Sequence, residues 1–285
     1  MSPSRFFLME AYKSQHPSRL WWCPTGASAF LPIHAAGVYD GDATDCISHY
    51  AISSYAPTLQ VLLDRPSSNT TSSKFTVVLE PNAPKCTSLP GAEKELKIIQ
   101  SHIPGESLTI LRSPNGFEVM KHLQQSAIVH FACHGVQDSG NPLDSGLIFA
   151  DGCLTLSEII RGQDDDNDNV KHVERRMSLA FLSACQTAVG DKSIPDEAMH
   201  LAATLLFAGF RGVVGTMGNM QDLDGPKVAD TFYEYLFKDF DPNTVPPQTL
   251  DLTKAAEALH FAVLKLRKEP GMTFCRWVPF VHYGL

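Results

Sequence analysis

Cys185 and His134 are the residues of this chain best suited to covalent chemistry. A cysteine thiolate is a potent nucleophile, and an imidazole within hydrogen-bond reach favours the thiolate and later protonates a leaving amine. His134 follows the β-rich run Ala127-Ile128-Val129-His130-Phe131 and stands before Gly135, while Cys185 follows Leu179-Ala180-Phe181-Leu182 and the small pair Ser183-Ala184. Brought side by side, the two suffice for acyl transfer. Gly135 lets a carbonyl approach the backbone closely, so that the N–H groups of Gly135 and Cys185 can both point at a developing oxyanion. Losing one such donor costs roughly 3 kcal/mol.

Chemistry is not the only use for these residue types, because free cysteine is among the most buried side chains. Cys133 shows the packing alternative: it alternates with Val129 and Phe131, so in a strand all three face one layer of core. His130 falls on the opposite face and reads as a hydrogen-bonded core histidine. His134 differs by lying at a strand exit ahead of glycine.

The elements that must position the pair are legible in the central region. Phe75-Thr76-Val77-Val78-Leu79 is a β-rich run closed by Glu80-Pro81-Asn82, and residues 93–102 follow as a helix after the Pro90-Gly91 turn. Strands are predicted at 108–111, 127–131, 178–182, 211–217 and 277–283, with helices at 117–125, 197–209, 227–238 and 253–268. Pro195-Asp196-Glu197 supplies a first helical turn. Strands alternating with helices imply a mostly parallel sheet covered on both faces, a three-layer α/β fold. In such sheets ligands bind beyond the carboxyl ends of the strands, where both candidate residues stand.

The first 74 residues are less regular and are read as an N-terminal extension packed on the 75–285 core, the whole chain forming one structural unit. Leu20-Trp21-Trp22 and Phe30-Leu31-Pro32-Ile33 flank Pro24-Thr25-Gly26 and suggest a hairpin, and 47–63 suggests a helical piece broken near Pro57. Exposed loops are expected at 66–74, rich in Ser, Thr and Asn, and at 161–176, where Asp164-Asp165-Asp166-Asn167-Asp168 is too charged to bury.

Bulk properties exclude several functions. The 285 residues, 44% hydrophobic and 19% charged, match an ordinary globular protein. The net charge of −8 and the absence of basic runs interleaved with aromatics argue against nucleic acid as a partner. No stretch reaches the roughly 18 apolar residues of a membrane span, and no secretory leader is read at the N-terminus. The 7 scattered cysteines form no CxxC, so no metal ligand set is expected and a reducing, cytoplasmic compartment fits best. No Walker sequence or GxGxxG follows a strand, so no nucleotide and no organic cofactor are expected.

His130-Phe131-Ala132-Cys133-His134-Gly135 and Leu182-Ser183-Ala184-Cys185-Gln186-Thr187 resemble the two signature segments of the CHAT domain family, caspase-like cysteine peptidases of clan CD related to separase. The likeness continues through Leu31-Pro32-Ile33-His34-Ala35-Ala36-Gly37, Gly215-Thr216-Met217, Asp224-Gly225-Pro226 and Trp277-Val278-Pro279-Phe280-Val281-His282-Tyr283-Gly284, and is strongest for the fungal domains that follow tetratricopeptide repeats. It implies a caspase-like fold, His134 and Cys185 as a catalytic dyad, and thiol-protease cleavage of a protein or peptide substrate through a thioester, without metal or cofactor.

Two departures bear on what carries over. Family members usually show an aromatic after the segment matching Thr216-Met217, where this chain has Gly218-Asn219. The repeats are absent from this sequence, so the sensing or substrate-recruiting half is either on another chain, as a regulatory protein replacing them, or lost; a catalytically silent binding module is the alternative function. By the resemblance, an acidic residue in the loop after the fifth strand selects a basic P1 side chain. Asp222 is the candidate here, supported by Asp224, although Asp-Leu-Asp-Gly-Pro is also ordinary turn and helix-start chemistry. Asp191 and Glu197 are placed at the cleft entrance, with a first-turn role favoured for Glu197; Gln186 and Thr187 are read as loop supports. The 164–169 loop, with Arg161, Lys171, Arg175 and Arg176 nearby, is an expected processing site.

Overall fold

The computed structural model describes residues 17–40, 43–63, 74–123, 125–136, 138, 140–162, 179–183, 197–218, 220–241 and 250–285. Its strands are β1 (Ser18–Trp22), β2 (Gly37–Asp40), β3 (Ala43–Cys46), β4 (Ala51–Tyr55), β5 (Phe75–Leu79), β6 (Leu108–Arg112), β7 (Ile128–Ala132), β8 (His134–Val136), β9 (Gly146–Phe149), β10 (Gly152–Thr155), β11 (Leu179–Leu182), β12 (Gly212–Thr216) and β13 (Phe280–Gly284). The helices are α1 (Leu59–Leu63), α2 (Pro90–His102), α3 (Gly116–Leu123), α4 (Leu156–Arg161), α5 (Glu197–Phe207), α6 (Gly225–Phe237), α7 (Ala255–Arg267) and α8 (Phe274–Trp277).

Eight strands form the central sheet in the order β1-β4-β13-β12-β11-β7-β5-β6. From β12 to β6 the neighbours are parallel, so the exits of β5, β7, β11 and β12 share one edge. At β12 the direction reverses, because β13 pairs antiparallel with it and then parallel with β4, which is parallel to β1. Strands β5, β7 and β11 are buried along their whole length, the pattern of a sheet covered on both faces.

Alternation along the strands sorts the core into two layers. Val77, Phe181, Val214 and Phe280 face α2, α6 and α7, burying Leu96, Ile99, Val228, Phe232, Tyr233 and Leu259. Val78, Val129, Ala180 and Val213 face α3, α4 and α5, burying Val119, Leu123, Ile159, Leu201 and Leu205. Each fully buried side chain of this class contributes roughly 1.5–3 kcal/mol relative to exposure. Pro90 and Pro226 sit in the first turns of α2 and α6, where the missing N–H leaves no hydrogen bond unmade. Among the described residues no helix is long and apolar enough to cross a membrane.

The three-layer arrangement agrees with the sequence reading, and the differences have local causes. Strand β13 is present, but Phe274–Trp277 before it is a short helix and its direction is antiparallel to β12. Residues 47–63 are not one broken helix: Ala51–Tyr55 is a strand whose two faces are both buried, with α1 only after Pro57. A hairpin exists near the N-terminus, but it is β2–β3, Gly37 opposite Cys46, rather than the pair predicted around Gly26. There the chain leaves β1 and makes 3-10 turns at Gly26–Phe30 and Ile33–Ala35 instead.

Strand β1 joins the main sheet through both backbone and side chains. The Arg19 guanidinium donates to Ser54 Oγ at 3.1 and 3.0 Å and to the Gly284 carbonyl at 3.3 Å, and Trp21 Nε1 donates to the same carbonyl at 3.0 Å. Burial lowers the Arg19 pKa to about 10. A second, three-stranded sheet, β10-β9-β8, was not read from the sequence, although Ala150-Asp151 forms a two-residue hairpin loop and Gly152, which opens β10, takes φ 137°. Thr155 and Glu158 then close a capping box that starts α4.

Several histidines are held neutral on the side of the sheet that carries β4, β13 and α7. His34 Nε2 donates to the Val278 carbonyl at 2.8 Å, which leaves Nδ1 to accept from Tyr55 Oη at 2.8 Å. Burial pulls the pKa of His34 down to about 4 against the opposing hydrogen bond to Val278, and burial likewise takes His260 to about 4. Buried His282 is also lowered well below the ordinary value, by desolvation and then by the charge of Arg19. A folded-state pKa below the unfolded value near 6.5 means that the unfolded chain binds more protons as pH falls. This stabilisation is whole above about pH 6.5 and is lost as pH drops towards 4. The urea midpoint is therefore expected to be lower at pH 5 than at pH 7.5, and His34→Gln is expected to shrink that difference while lowering the midpoint at pH 7.5.

Candidate active site

The exits of β7 and β11 fix the relation of the two signature segments. Leu182 lies opposite Phe131 in the parallel register, and the Ser183 N–H donates to the Phe131 carbonyl at 2.9 Å. His134 and Cys185 each stand three residues beyond those paired positions. Cys185 itself lies outside the described residues, as do Gln186, Thr187, Asp191 and the 163–178 loop with its expected processing site.

His134 opens β8 and is 1% exposed. Its Nε2 lies 2.7 Å from the Thr87 carbonyl, which can only accept, so Nε2 carries the proton. The tautomer is thereby set, and Nδ1 is the nitrogen that can take a proton from a thiol. Gly135 follows, buried and opposite Leu147 of β9. Cys133 is fully buried in the layer with Val129 and Phe131.

A carboxylate ties the two exits together from the other side. Glu95 of α2, 2% exposed, accepts from Ser183 Oγ at 2.5 Å through Oε1 and bonds His130 Nε2 at 2.9 Å through Oε2. His130 Nδ1 meets Tyr233 Oη of α6 at 3.0 Å, and the ring stacks on Phe181 with centroids 4.7 Å apart. The role of hydrogen-bonded core histidine fits these contacts. Helix α6 starts with glycine at the point of contact: a Cβ on Gly225 would collide with Glu95 Oε1 and Ser183 Oγ.

The loop after β12 places the two aspartates differently. Asp222, half-buried, accepts from the Gly91 N–H at 2.7 Å and so caps the first turn of α2. Asp224 has no exposed surface, and both its oxygens are taken up by Arg276, at 2.8 Å to Nε and 2.5 Å to Nη2. It fastens the start of α6 to α8 and presents no surface to a substrate. At the Gly218 position, where the family usually has an aromatic nearby, the backbone turns with φ 106°, a region that favours glycine, and Thr216 Oγ1 donates to the Gly218 carbonyl at 2.9 Å.

Thr87, Glu95 and Ser183 were not found as site residues from sequence. Thr87 acts through its backbone and leaves no signal in its side chain. Glu95 did leave one: it occupies the apolar face of α2 with Ala92, Leu96 and Ile99, where a carboxylate needs a partner.

The sheet order and the helix layers on its two faces are those of a caspase-like fold. The chain belongs to the CHAT domain family, whose model matches residues 5–285. Among solved structures it is similar to separase in the Saccharomyces cerevisiae separase–securin complex, with a TM-score of 0.52 and 19% identity over 84% of this chain. It is similar also to the Arg-specific cysteine proteinase gingipain R, with a TM-score of 0.55 and 9% identity over 98% of this chain. A Porphyromonas gingivalis complex of the pro- and mature domains of such a proteinase gives 0.53 and 8% over 98%. This chain spans 14% of the separase chain and 66% of the gingipain R chain. No curated protein matches it in sequence at a significant level.

The Asp224–Arg276 pair carries its own test. Asp224 is fully buried while Arg276 reaches the surface, so Asp224→Asn, which loses two charge-assisted hydrogen bonds, is expected to lower the urea midpoint of unfolding. Arg276→Met is expected to cost less in the Asp224→Asn background than in the wild type, because the pair is already broken there.

Proposed function

We propose that the chain is a cysteine endopeptidase in which Cys185 is the nucleophile and His134 the acid/base. The observation that carries this reading is the β7–β11 register, which sets both residues at one offset beyond paired positions on adjacent parallel strands. The Thr87 carbonyl supports it by keeping the proton on His134 Nε2. In the proposed reaction His134 Nδ1 takes the Cys185 thiol proton, and the thiolate attacks the scissile carbonyl carbon. The oxyanion is received by the N–H groups of Gly135 and Cys185. The C–N bond then breaks, the amine leaves with the proton from His134, and a thioester remains. Water deprotonated by His134 cleaves the thioester and restores the thiol.

The substrate is proposed to carry Arg or Lys at P1, with Asp222 as the recognising carboxylate. Its position in the loop after β12, at the same sheet edge as His134, supports this, as does the Arg specificity in the name of the similar gingipain R. Asp222 also caps α2 through Gly91, so recognition and anchoring would share one side chain. Asp224 is not assigned a direct part, since its carboxylate is occupied by Arg276.

An electrophilic peptide with Arg or Lys at P1 is expected to label Cys185 covalently. Cys185→Ala should abolish labelling and His134→Ala should slow it by at least about 100-fold, in line with loss of a general base. Asp222→Asn is expected to raise the KM for basic peptides more than for neutral ones. Preferential cleavage after Asp would overturn the P1 assignment, and unmodified Cys185 in the wild type would favour the silent binding module.

A further inference from the structure

We propose that Glu95 is a positioning residue for the Cys185–His134 pair, acting through Ser183 and His130 as a carboxylate clamp across the exits of β11 and β7. The inference rests on the peptidase reading and deepens it. Ser183 stands two residues before Cys185, and His130 lies on the strand that leads to His134. One side chain on a third element therefore holds both strands that deliver the pair, with one oxygen on each, at 2.5 and 2.9 Å.

The hydrogens are accounted for in a single arrangement. Tyr233 donates its hydroxyl to His130 Nδ1, His130 Nε2–H donates to Glu95 Oε2, and Ser183 Oγ–H donates to Glu95 Oε1. The phenol of Tyr233 is fitted to the donor role, since burial and the charge of Glu95 both push its pKa well above the ordinary value. The ring of His130 is kept in plane by stacking on Phe181.

The chain could have filled this position with an apolar side chain, because Glu95 faces the interior with Ala92, Leu96 and Ile99. A buried carboxylate is expensive to desolvate and gives little net stability even when paired. What it supplies is a fixed distance between two strand ends. Displacing a reacting group by about 1 Å can slow a reaction of this kind by about 100-fold. The same helix reaches the other parts of the site as well, since Thr87 just before it holds His134 and Gly91 in its first turn holds Asp222.

The test is the inactivation of the full chain by a peptide chloromethyl ketone with Arg at P1, resolved into the maximal rate of alkylation and the concentration giving half that rate. Ser183→Ala is expected to lower the maximal rate by about 10- to 100-fold and leave the half-saturating concentration within about 2-fold, with Ser183→Thr restoring the rate because its hydroxyl can still donate. Glu95→Gln is expected to match Ser183→Ala, because its amide offers one acceptor oxygen for two donors. If Glu95→Gln fails to fold, the two Ser183 variants decide. Equal rates for wild type and Ser183→Ala overturn the clamp and leave the peptidase reading standing, as does a loss in Ser183→Ala that Ser183→Thr does not repair. A wild type that is never alkylated at Cys185 overturns the peptidase reading and the clamp with it.

Discussion

The architecture of the candidate site depends on one short stretch of backbone and helix, from Thr87 to Glu95, lying across the exits of three parallel strands. Its carbonyl at Thr87 receives His134, its N–H at Gly91 is received by Asp222, and its carboxylate at Glu95 receives Ser183 and His130. Each of those contacts is polar, and three of the side chains involved, His134, Glu95 and His130, are buried. Apolar packing alone is non-directional and tolerates small shifts. Hydrogen bonds from buried groups are directional and costly to break, so they locate strand ends in a way the core cannot.

Stability and placement are accordingly divided between different residues. The two apolar layers on either face of the sheet hold the strands together, with Phe181, Phe232 and Tyr233 on one side and Phe131, Phe149 and Tyr283 on the other. The Asp224–Arg276 pair joins α6 to α8, and so keeps the start of α6 pressed onto Glu95 and Ser183 at Gly225. The neutral histidines at 34, 260 and 282 belong to the other flank of the sheet, where acid rather than substrate is the relevant perturbation.

Much of this arrangement was legible in the amino-acid order, for physical reasons that also explain what was not. Strands β5, β7, β11 and β12 are short runs rich in β-branched and aromatic residues or leucine, bounded by turn residues, and the helices between them carry a 3.6-residue stripe, so local pattern and tertiary role agree. His134 stood out because it precedes glycine at a strand exit, and His130 and Cys133 read as core from alternation alone. The direction of β13 was not legible, since pairing partner and polarity are set by contacts far along the chain. Strand β4 was hidden because Ser53 and Ser54 interrupt Ala-Ile-Ser-Ser-Tyr, so that it shows neither an apolar run nor a clean alternation. The anchoring of Asp222 and Asp224 could not be read because Asp-x-Asp-Gly-Pro has the same appearance whether its carboxylates face solvent, a helix start or an arginine.

Strand β13 lies between β12 and β4, inside the sheet, though it belongs to the last part of this sequence while β4 belongs to the first. Tyr283 and Tyr55 are opposed in register, and their rings pack at 5.8 Å. Closing a chain loop of that size loses entropy before any contact repays it, which slows folding of topologies rich in distant pairings. On a ribosome, β1 and β4 emerge early and have to wait, with open backbone edges, until the strand that joins them to the rest has been made. Arg19 and Trp21 find their acceptor at Gly284 only then. A nascent chain that has not yet made β13 exposes the edge of β12 to any other strand within reach.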